Sequence, residues 1–445
     1  MEKHRFPQDF KWGASTSAYQ IEGAFAEDGR GESIWDRFAH TPGNVTNNDT
    51  GDVACDHYHR YEEDVELLRA LEIDSYQFSI SWPRIVSTGS GPVNQRGIDF
   101  YDRLVDVLLE RGIEPWTTLY HWDLPQALQD AGGWAARDTV DRFAEFVDPI
   151  TRALGDRVTN WFTINEPWVA SVLGNGWGIH APGHHDWRET YAVGHNLMRA
   201  HGRAVEIVRA NVPDARVGLA LNLTTVRAAS NSEQDVAAAG RLDGFLNRWF
   251  LDVAAGRGYP ADMAALLGAN APDVLPGDLE AIAVPTDFLA INYYFPAYAR
   301  NDPNDSFLGV AQVDQPDAVH TATDWVVEPE GLRDLLIRVD RDYEFGPLYV
   351  TENGAAFDDP APVNGQLMDP ERTAYIEAHL DAVAQAIAAG VPAAGYFVWS
   401  LLDNFEWAAG YDKRFGIVAV DFATQTRTIK ASGHRYRALI AANRV

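Results

Sequence analysis

Two short segments end an apolar run with a carboxylate. Trp161-Phe162-Thr163-Ile164 leads into Asn165-Glu166-Pro167, and Leu348-Tyr349-Val350-Thr351 leads into Glu352-Asn353-Gly354. If each run is a buried β-strand, its last residue is delivered to wherever the strand ends converge. A pair of glutamates at one such place is what glycosidic-bond cleavage requires. One must be protonated to give a proton to the leaving oxygen, and the other ionised to attack or to activate water. Repulsion between them raises one pKa and helps keep that acid protonated near neutrality. Either glutamate alone reads equally well as a surface charge or an ion-pair partner. Two of them, each beside an asparagine, favour chemistry. The pattern leads to a paired-carboxylate site and to no particular substrate.

The elements that must carry these residues recur along the chain as a short apolar run, a polar loop and an amphipathic stretch. Strands are expected at Trp12–Ser17, Ser75–Ser81, Glu114–Tyr120, Asn160–Ile164, Val217–Leu223, Phe288–Tyr293, Leu348–Thr351 and Ala394–Ser400. Helical spacing falls at Tyr58–Leu71, Asp99–Arg111, Asp138–Leu154, Tyr191–Ala210, Gly331–Asp342, Pro370–Ala389 and Lys430–Asn443. Short continuous apolar strands separated by crossover helices are the signature of a buried parallel sheet. Eight such units predict a closed (β/α)₈ barrel, with residues 1–445 forming one catalytic domain. The glutamates then end the fourth and seventh strands. No Gly-rich dinucleotide fingerprint follows the first strand; the stretch Gly23 to Gly31 is charged and wrongly spaced.

Such a barrel needs about 250 residues, and this chain has 445. The surplus is expected in loops after the strand ends, at Thr41–Asp52, Leu173–Trp187, Ala299–Asp324 and Gly354–Asp369. Loops at those ends form the active-site mouth of this fold.

Composition sets the outer limits. A formal net charge of −28 argues against nucleic acid and anionic membranes as partners. The single cysteine, Cys55, excludes an internal disulfide framework and a thiolate metal cluster, and reads as a small buried hydrophobe. The polar opening residues lack an apolar signal core, so a cytoplasmic location is expected. Neither the pair His57 and His59 nor the pair His184 and His185 has the carboxylate spacing of a catalytic metal site. Aromatic residues make up 11% of the chain, and tryptophans beside carboxylates and amides suit sugar rings.

At these residues the chain resembles glycoside hydrolase family 1, the β-glucosidase family. Asn165-Glu166-Pro167 and Thr351-Glu352-Asn353-Gly354 look like its two signature motifs. The likeness runs from the stretch Phe10 to Gly23, through Phe78 to Ile85, Leu119 to Pro125 and Trp399 to Trp407, to Phe415-Gly416-Ile417-Val418. The resemblance implies a retaining β-glycosidase that acts by double displacement on a β-glucoside or short oligosaccharide, with tolerance for β-galactosides and β-fucosides. It implies Glu166 as the general acid/base and Glu352 as the nucleophile, with carboxyl groups about 5 to 5.5 Å apart. No cofactor or metal is implied.

The resemblance also implies a sugar pocket. Gln20, His121, Asn165, Glu406 and Trp407 would bind the glycone hydroxyls, and Trp399 would lie under the ring. Asn292 and Tyr294 match an Asn-Tyr-Tyr motif, with Tyr294 donating to Glu352. Trp122 and Phe415 would line the wall, and Trp325 would border the aglycone. Without the resemblance, His121 and Trp399 read as core residues and Gln20 as a turn residue.

Two departures bear on function. Gln77 stands where the family has an arginine that pairs with the nucleophile, which removes a charge and a bidentate donor. A Glu352 less stabilised as a carboxylate is expected, with slower turnover and a raised acid limb, unless Gln77 and Tyr294 compensate with neutral hydrogen bonds. A sugar-binding protein without efficient catalysis is the reading that Gln77 alone would favour. Phospho-glycosidases of the family carry a serine at the position of Glu406. Lys413 fits their phosphate loop, whereas Glu406 and Phe415 do not, so an unphosphorylated sugar is expected.

Overall fold

In a computed structural model, which describes residues 6–360 and 365–444, eight parallel strands close into a barrel in chain order. They are β1 (Lys11–Ser15), β2 (Ser75–Ser79), β3 (Glu114–Tyr120), β4 (Asn160–Asn165), β5 (Arg216–Asn222), β6 (Phe288–Asn292), β7 (Leu348–Asn353) and β8 (Ala393–Trp399). Each overlaps a strand expected from the sequence, because a strand buried on both faces must be apolar along its whole length.

The barrel interior is filled by Trp116, Phe162, Phe288, Tyr349 and Phe397, with Ala220 and Ala290 between the rings. Arg216, at the start of β5, lies 5.5–5.7 Å from the Trp116, Phe288 and Tyr349 ring centres and donates to the Tyr349 hydroxyl at 2.8 Å. This cation closes the floor from the N-terminal side. Gly13 and Gly218 make room for the plug: a Cβ there would stand 2.0 Å from the Phe397 ring and 2.2 Å from that of Phe288.

The outer helices are α1 (His57–Ala70), α2 (Gln95–Glu110), α3 (Thr139–Leu154), α4 (Trp187–Asn211), α5 (Glu233–Asp243), α6 (Pro329–Asp342), α7 (Pro370–Ala388) and α8 (Ala431–Arg444). Their inward faces follow the helical period, as in α2 with Ile98, Tyr101, Leu104, Val105 and Leu108 buried. Helix α5 is absent from the sequence reading. It buries Ala238 and Leu242 among small residues, too little apolar bulk to show a period. It continues through a wide turn at Gly244–Arg248 into Trp249–Ala254.

The stretch Ala299–Asp324, expected as a loop, contributes strands instead. Ala297–Asn301 pairs with Val226–Ala228 and Val310–Gln312 in a small sheet beside the mouth. Of the expected loop Gly354–Asp369, residues 361–364 lie outside the described residues, as do residues 1–5 of the opening segment. No helix among the described residues is long and apolar enough to cross a membrane.

Candidate active site

Both glutamate-bearing strands lose their regular register just before the glutamate. On β7, Val350 pairs with Ile291 and Glu352 with Asn292, so Thr351 is an extra residue. On β4, Phe162 pairs with Gly218 and Asn165 with Ala220, which again leaves one residue over. Such bulges re-aim the side chains that follow. Glu166 then turns at φ 49°, and two other mouth residues, Trp122 (77°) and Trp407 (49°), share that left-handed backbone. Strain of this kind persists only where the surroundings over-determine it.

The result is one cavity of about 390 Å³ at the C-terminal end of the barrel, with Glu166, Glu352 and Glu406 on its wall. His121, Trp122, Asn292, Tyr294, Trp325 and Trp399 also line it, as do Trp407 and Phe415. Eleven of the thirteen site residues expected from the sequence are therefore brought together on its surface. Gln20 and Asn165 stand one hydrogen bond behind it.

The polar network can be followed from donor to acceptor. Thr351 Oγ1 donates to Asn292 Oδ1 at 2.7 Å, which fixes the Asn292 amide. Asn292 Nδ2 then donates to Glu166 Oε1 at 2.8 Å and to Asn165 Oδ1 at 3.1 Å. Asn165 Nδ2 in turn faces His121 Nε2 at 3.1 Å. Nε2 must accept, so the ring proton sits on Nδ1, which has no protein partner. Burial pushes the His121 pKa down to about 3, so the ring is neutral and offers a free donor. Trp122 Nε1 closes the chain on the Asn165 carbonyl at 3.0 Å.

Glu352 is 3% exposed. Tyr294 Oη donates to its Oε2 at 2.7 Å, while its Oε1 is buried with no partner. Burial, and then the Glu166 charge, hold the Glu352 carboxyl well above the usual range. Burial raises Glu166 to about 7, against the Asn292 hydrogen bond that lowers it. Glu406, withdrawn from bulk water and facing Glu166, is pushed up to about 8. Among the described residues, no lysine or arginine lines the cavity. Three carboxyls without a counter-cation cannot all ionise together, so they titrate as a coupled set.

Gln77 does not supply the missing partner. Its Oε1 accepts from Ser15 Oγ at 3.1 Å and its Nε2 donates to Thr118 Oγ1 at 3.3 Å. Ser15 Oγ also lies 2.7 Å from the Thr351 carbonyl, so Gln77 is tied to the strand that carries the nucleophile candidate and not to its carboxylate. Of the two compensating bonds considered from the sequence, only that from Tyr294 forms.

Gln20 is fully buried. It accepts from Ser17 Oγ at 2.6 Å and donates to Asn404 Oδ1 and the Phe405 carbonyl, both at 3.0 Å, and to Glu406 Oε2 at 3.5 Å. Its amide anchors the loop after β8 that holds Glu406. Trp325 packs on Tyr294 and Phe295, with ring centres 5.3 and 4.9 Å away. His57 and His184 pair with Asp64 and Glu189, and His59 with Asp56, in keeping with structural roles. Cys55 is buried, with its thiol on the Asp403 carbonyl at 3.1 Å.

Sequence reasoning missed Trp168, Leu173, Trp177, Ile179, His180 and Asn222 on the cavity wall. Four of them lie within the mouth loop already expected at Leu173–Trp187. Two exposed apolar residues in a glycine-rich loop, Trp177 and Ile179, were the available signal.

A closed (β/α)₈ barrel that gathers buried glutamates at its C-terminal mouth defines a glycoside hydrolase. The model of glycosyl hydrolase family 1 matches residues 2–445, and the chain belongs to that family. It is 49% identical to Beta-glucosidase A of Acetivibrio thermocellus, with 100% of both chains covered. It is 46% identical to Beta-glucosidase A of Thermotoga maritima, over 100% of this chain and 99% of the other. The solved structure of the family 1 β-glucosidase from Thermotoga maritima superposes with a TM-score of 0.97, covering 99% of each chain.

Proposed function

We propose that this chain, as one catalytic domain, is a retaining β-glucosidase that releases terminal β-D-glucosyl residues, with side activity on β-galactosides and β-fucosides. The observation that carries the reading is the placement of Glu166 and Glu352 on one cavity wall, each held by a single side-chain donor, Asn292 and Tyr294. The two full-length relatives named beta-glucosidase support the choice of sugar.

Glu352 attacks the anomeric carbon as Glu166 gives its proton to the aglycone oxygen. The glycosidic C–O bond breaks, the alcohol leaves, and an ester joins the sugar to Glu352. Esterification removes the Glu352 charge, so Glu166 becomes a stronger acid and remains ionised. It then takes a proton from water, whose oxygen displaces Glu352 and returns the β-anomer. The free Nδ1–H of His121 and the carboxyl of Glu406 are the groups available to the glycone hydroxyls, and Trp399 offers its apolar face.

Glu406 also bears on phosphorylated sugars. A carboxyl on the same wall as Glu166, in a cavity lined by no lysine or arginine among the described residues, gives a sugar phosphate no counter-charge. NMR of the first product from an aryl β-glucoside tests the mechanism: the β-anomer is expected, and an α-anomer overturns it. Faster turnover of a β-glucoside 6-phosphate would overturn the choice of substrate.

A further inference from the structure

Glu352 and the phenol that donates to it come from different strands, and a residue outside the cavity joins them. Strand β6 ends at Asn292, so Tyr294 stands beyond the reach of the sheet register. The Tyr293 peptide is still tied to β7. Its N–H donates to the Glu352 carbonyl at 2.9 Å, and its carbonyl accepts from Asn353 Nδ2 at 2.7 Å. The next carbonyl, that of Tyr294, accepts from Tyr375 Oη at 3.2 Å. Tyr375 lies on α7 and does not line the cavity.

The same phenol oxygen accepts from Asn353 Nδ2 at 3.0 Å. Asn353 directly follows Glu352, and Tyr396 Oη on β8 donates to its Oδ1 at 2.7 Å. These partners leave one assignment of atoms. A carbonyl only accepts, so the Asn353 nitrogen must face Tyr293; an amide N–H only donates, so Tyr375 must give its own proton to Tyr294. Burial pushes the Tyr375 pKa up, which keeps that proton in place. Tyr375 is 2% exposed, and its ring stacks on that of His379, one turn along α7, with centres 3.8 Å apart. The backbones on either side of the Tyr294–Glu352 hydrogen bond are therefore both tied to one rigid oxygen behind the barrel wall.

We propose that Tyr375 is a positioning residue for the reaction: by bridging Asn353 and the Tyr294 carbonyl, its hydroxyl aligns the Tyr294 phenol with Glu352 without touching the substrate. Alignment of this kind matters because a displacement of about 1 Å can cost on the order of a hundredfold in rate. The inference rests on Glu352 as the nucleophile and adds to that reading the residue that holds it in register with its donor.

Tyr375→Phe removes one hydroxyl and keeps the ring, and each protein is assayed well below its own Tm, with kcat taken per folded molecule. The substrate is phenyl β-glucoside, whose poor leaving group keeps the first chemical step limiting, so that KM follows binding. We expect kcat to fall about fivefold or more and KM to stay within about twofold, since the groups that meet the glycone are not altered. The decisive comparison is made in Tyr294→Phe, where the bond to be aligned is already gone. There the further change Tyr375→Phe should lower kcat by less than about twofold, because residues that act through one shared contact are not additive. A hydroxyl that served stability alone would cost the same factor in both backgrounds. An unchanged kcat in Tyr375→Phe or in Tyr294→Phe, a rise in KM that matches the fall in kcat, or losses that multiply would overturn the proposal. Failure of the unaltered protein to hydrolyse phenyl β-glucoside would instead overturn the β-glucosidase reading.

Discussion

Tyr294 donates its phenol to one carboxylate oxygen of Glu352 at 2.7 Å, and the other oxygen, buried in the same wall, has no partner. Tyr294 is thus the larger of the neutral donors that favour this side chain as an anion, with the Asn165 amide adding a smaller share. Tyr294→Phe is expected to lower kcat by about tenfold to a thousandfold, the cost typical of removing a single preorganised donor. It should also move the acid limb of the pH–rate profile upward. A Phe variant with unchanged kcat and unchanged acid limb would show that Tyr294 has no part in holding Glu352.

Restoring a cation should act in the opposite sense. Gln77→Arg would place a guanidinium where the Gln77 amide now serves Ser15 and Thr118. A nearby positive charge favours the ionised nucleophile, so the acid limb should shift to lower pH and kcat should rise. The measurement is kcat against pH in both proteins, and superimposable profiles would sink the idea.

Burial raises Glu166 to about 7, and burial with the Glu166 charge raises Glu352 as well, so the two carboxyls titrate as a coupled pair. The productive form carries one proton on the pair, so kcat/KM should fall when that proton is lost at high pH and when a second is added at low pH. A bell-shaped profile is expected, and a rate unchanged from about pH 4 to about pH 10 would contradict it.

Removing either carboxyl should divide the mechanism into its halves. Glu166→Ala should slow substrates with basic leaving groups more than nitrophenyl glucosides, which need little proton assistance. Azide, which needs no general base, should rescue it and yield a β-glucosyl azide. Glu352→Ala with azide should yield the α-azide by a single displacement. Identical azide anomers from the two variants would refute the assigned roles.

Glu406 carries a stability consequence. Its pKa in the folded chain, about 8, lies above the ordinary value of 4.5. The folded state therefore binds the proton more tightly, and stability is lost as pH rises from about 4.5 through 8. Glu406→Gln removes that loss. It should raise Tm at pH 8 by on the order of 2 °C or more and leave Tm near pH 4.5 almost unchanged. An equal shift at both values would assign the effect to packing.

Much of this was legible in the residues themselves. The eight strands could be placed because a doubly buried strand is apolar throughout, a local property written in consecutive residues. Glu166 and Glu352 stood out because each ended such a run. Helix α5 was not legible, since its buried face is Asp235, Ala238, Leu242 and Asp243, which mixes acids with small apolar residues and carries no amphipathic signal. The strands at Ala297–Asn301 and Val310–Gln312, in the middle and at one edge of a small three-stranded sheet, were hidden because neither is a continuous apolar run.

The chain by itself determined the barrel, the two glutamates at strand ends and the aromatic, cation-poor character of the residues around them. Only the closed barrel decided which groups meet. Asn292 reaches Glu166 and Asn165 across 126 and 127 positions, Gln20 turns to the loop of Glu406 and away from the cavity surface, and Gln77 goes to Ser15 and Thr118. These contacts depend on strand register, on the single-residue bulges before Asn165 and Glu352, and on β1 closing against β8. No local preference specifies them, because a one-residue slip leaves every strand as apolar as before and aims every donor elsewhere.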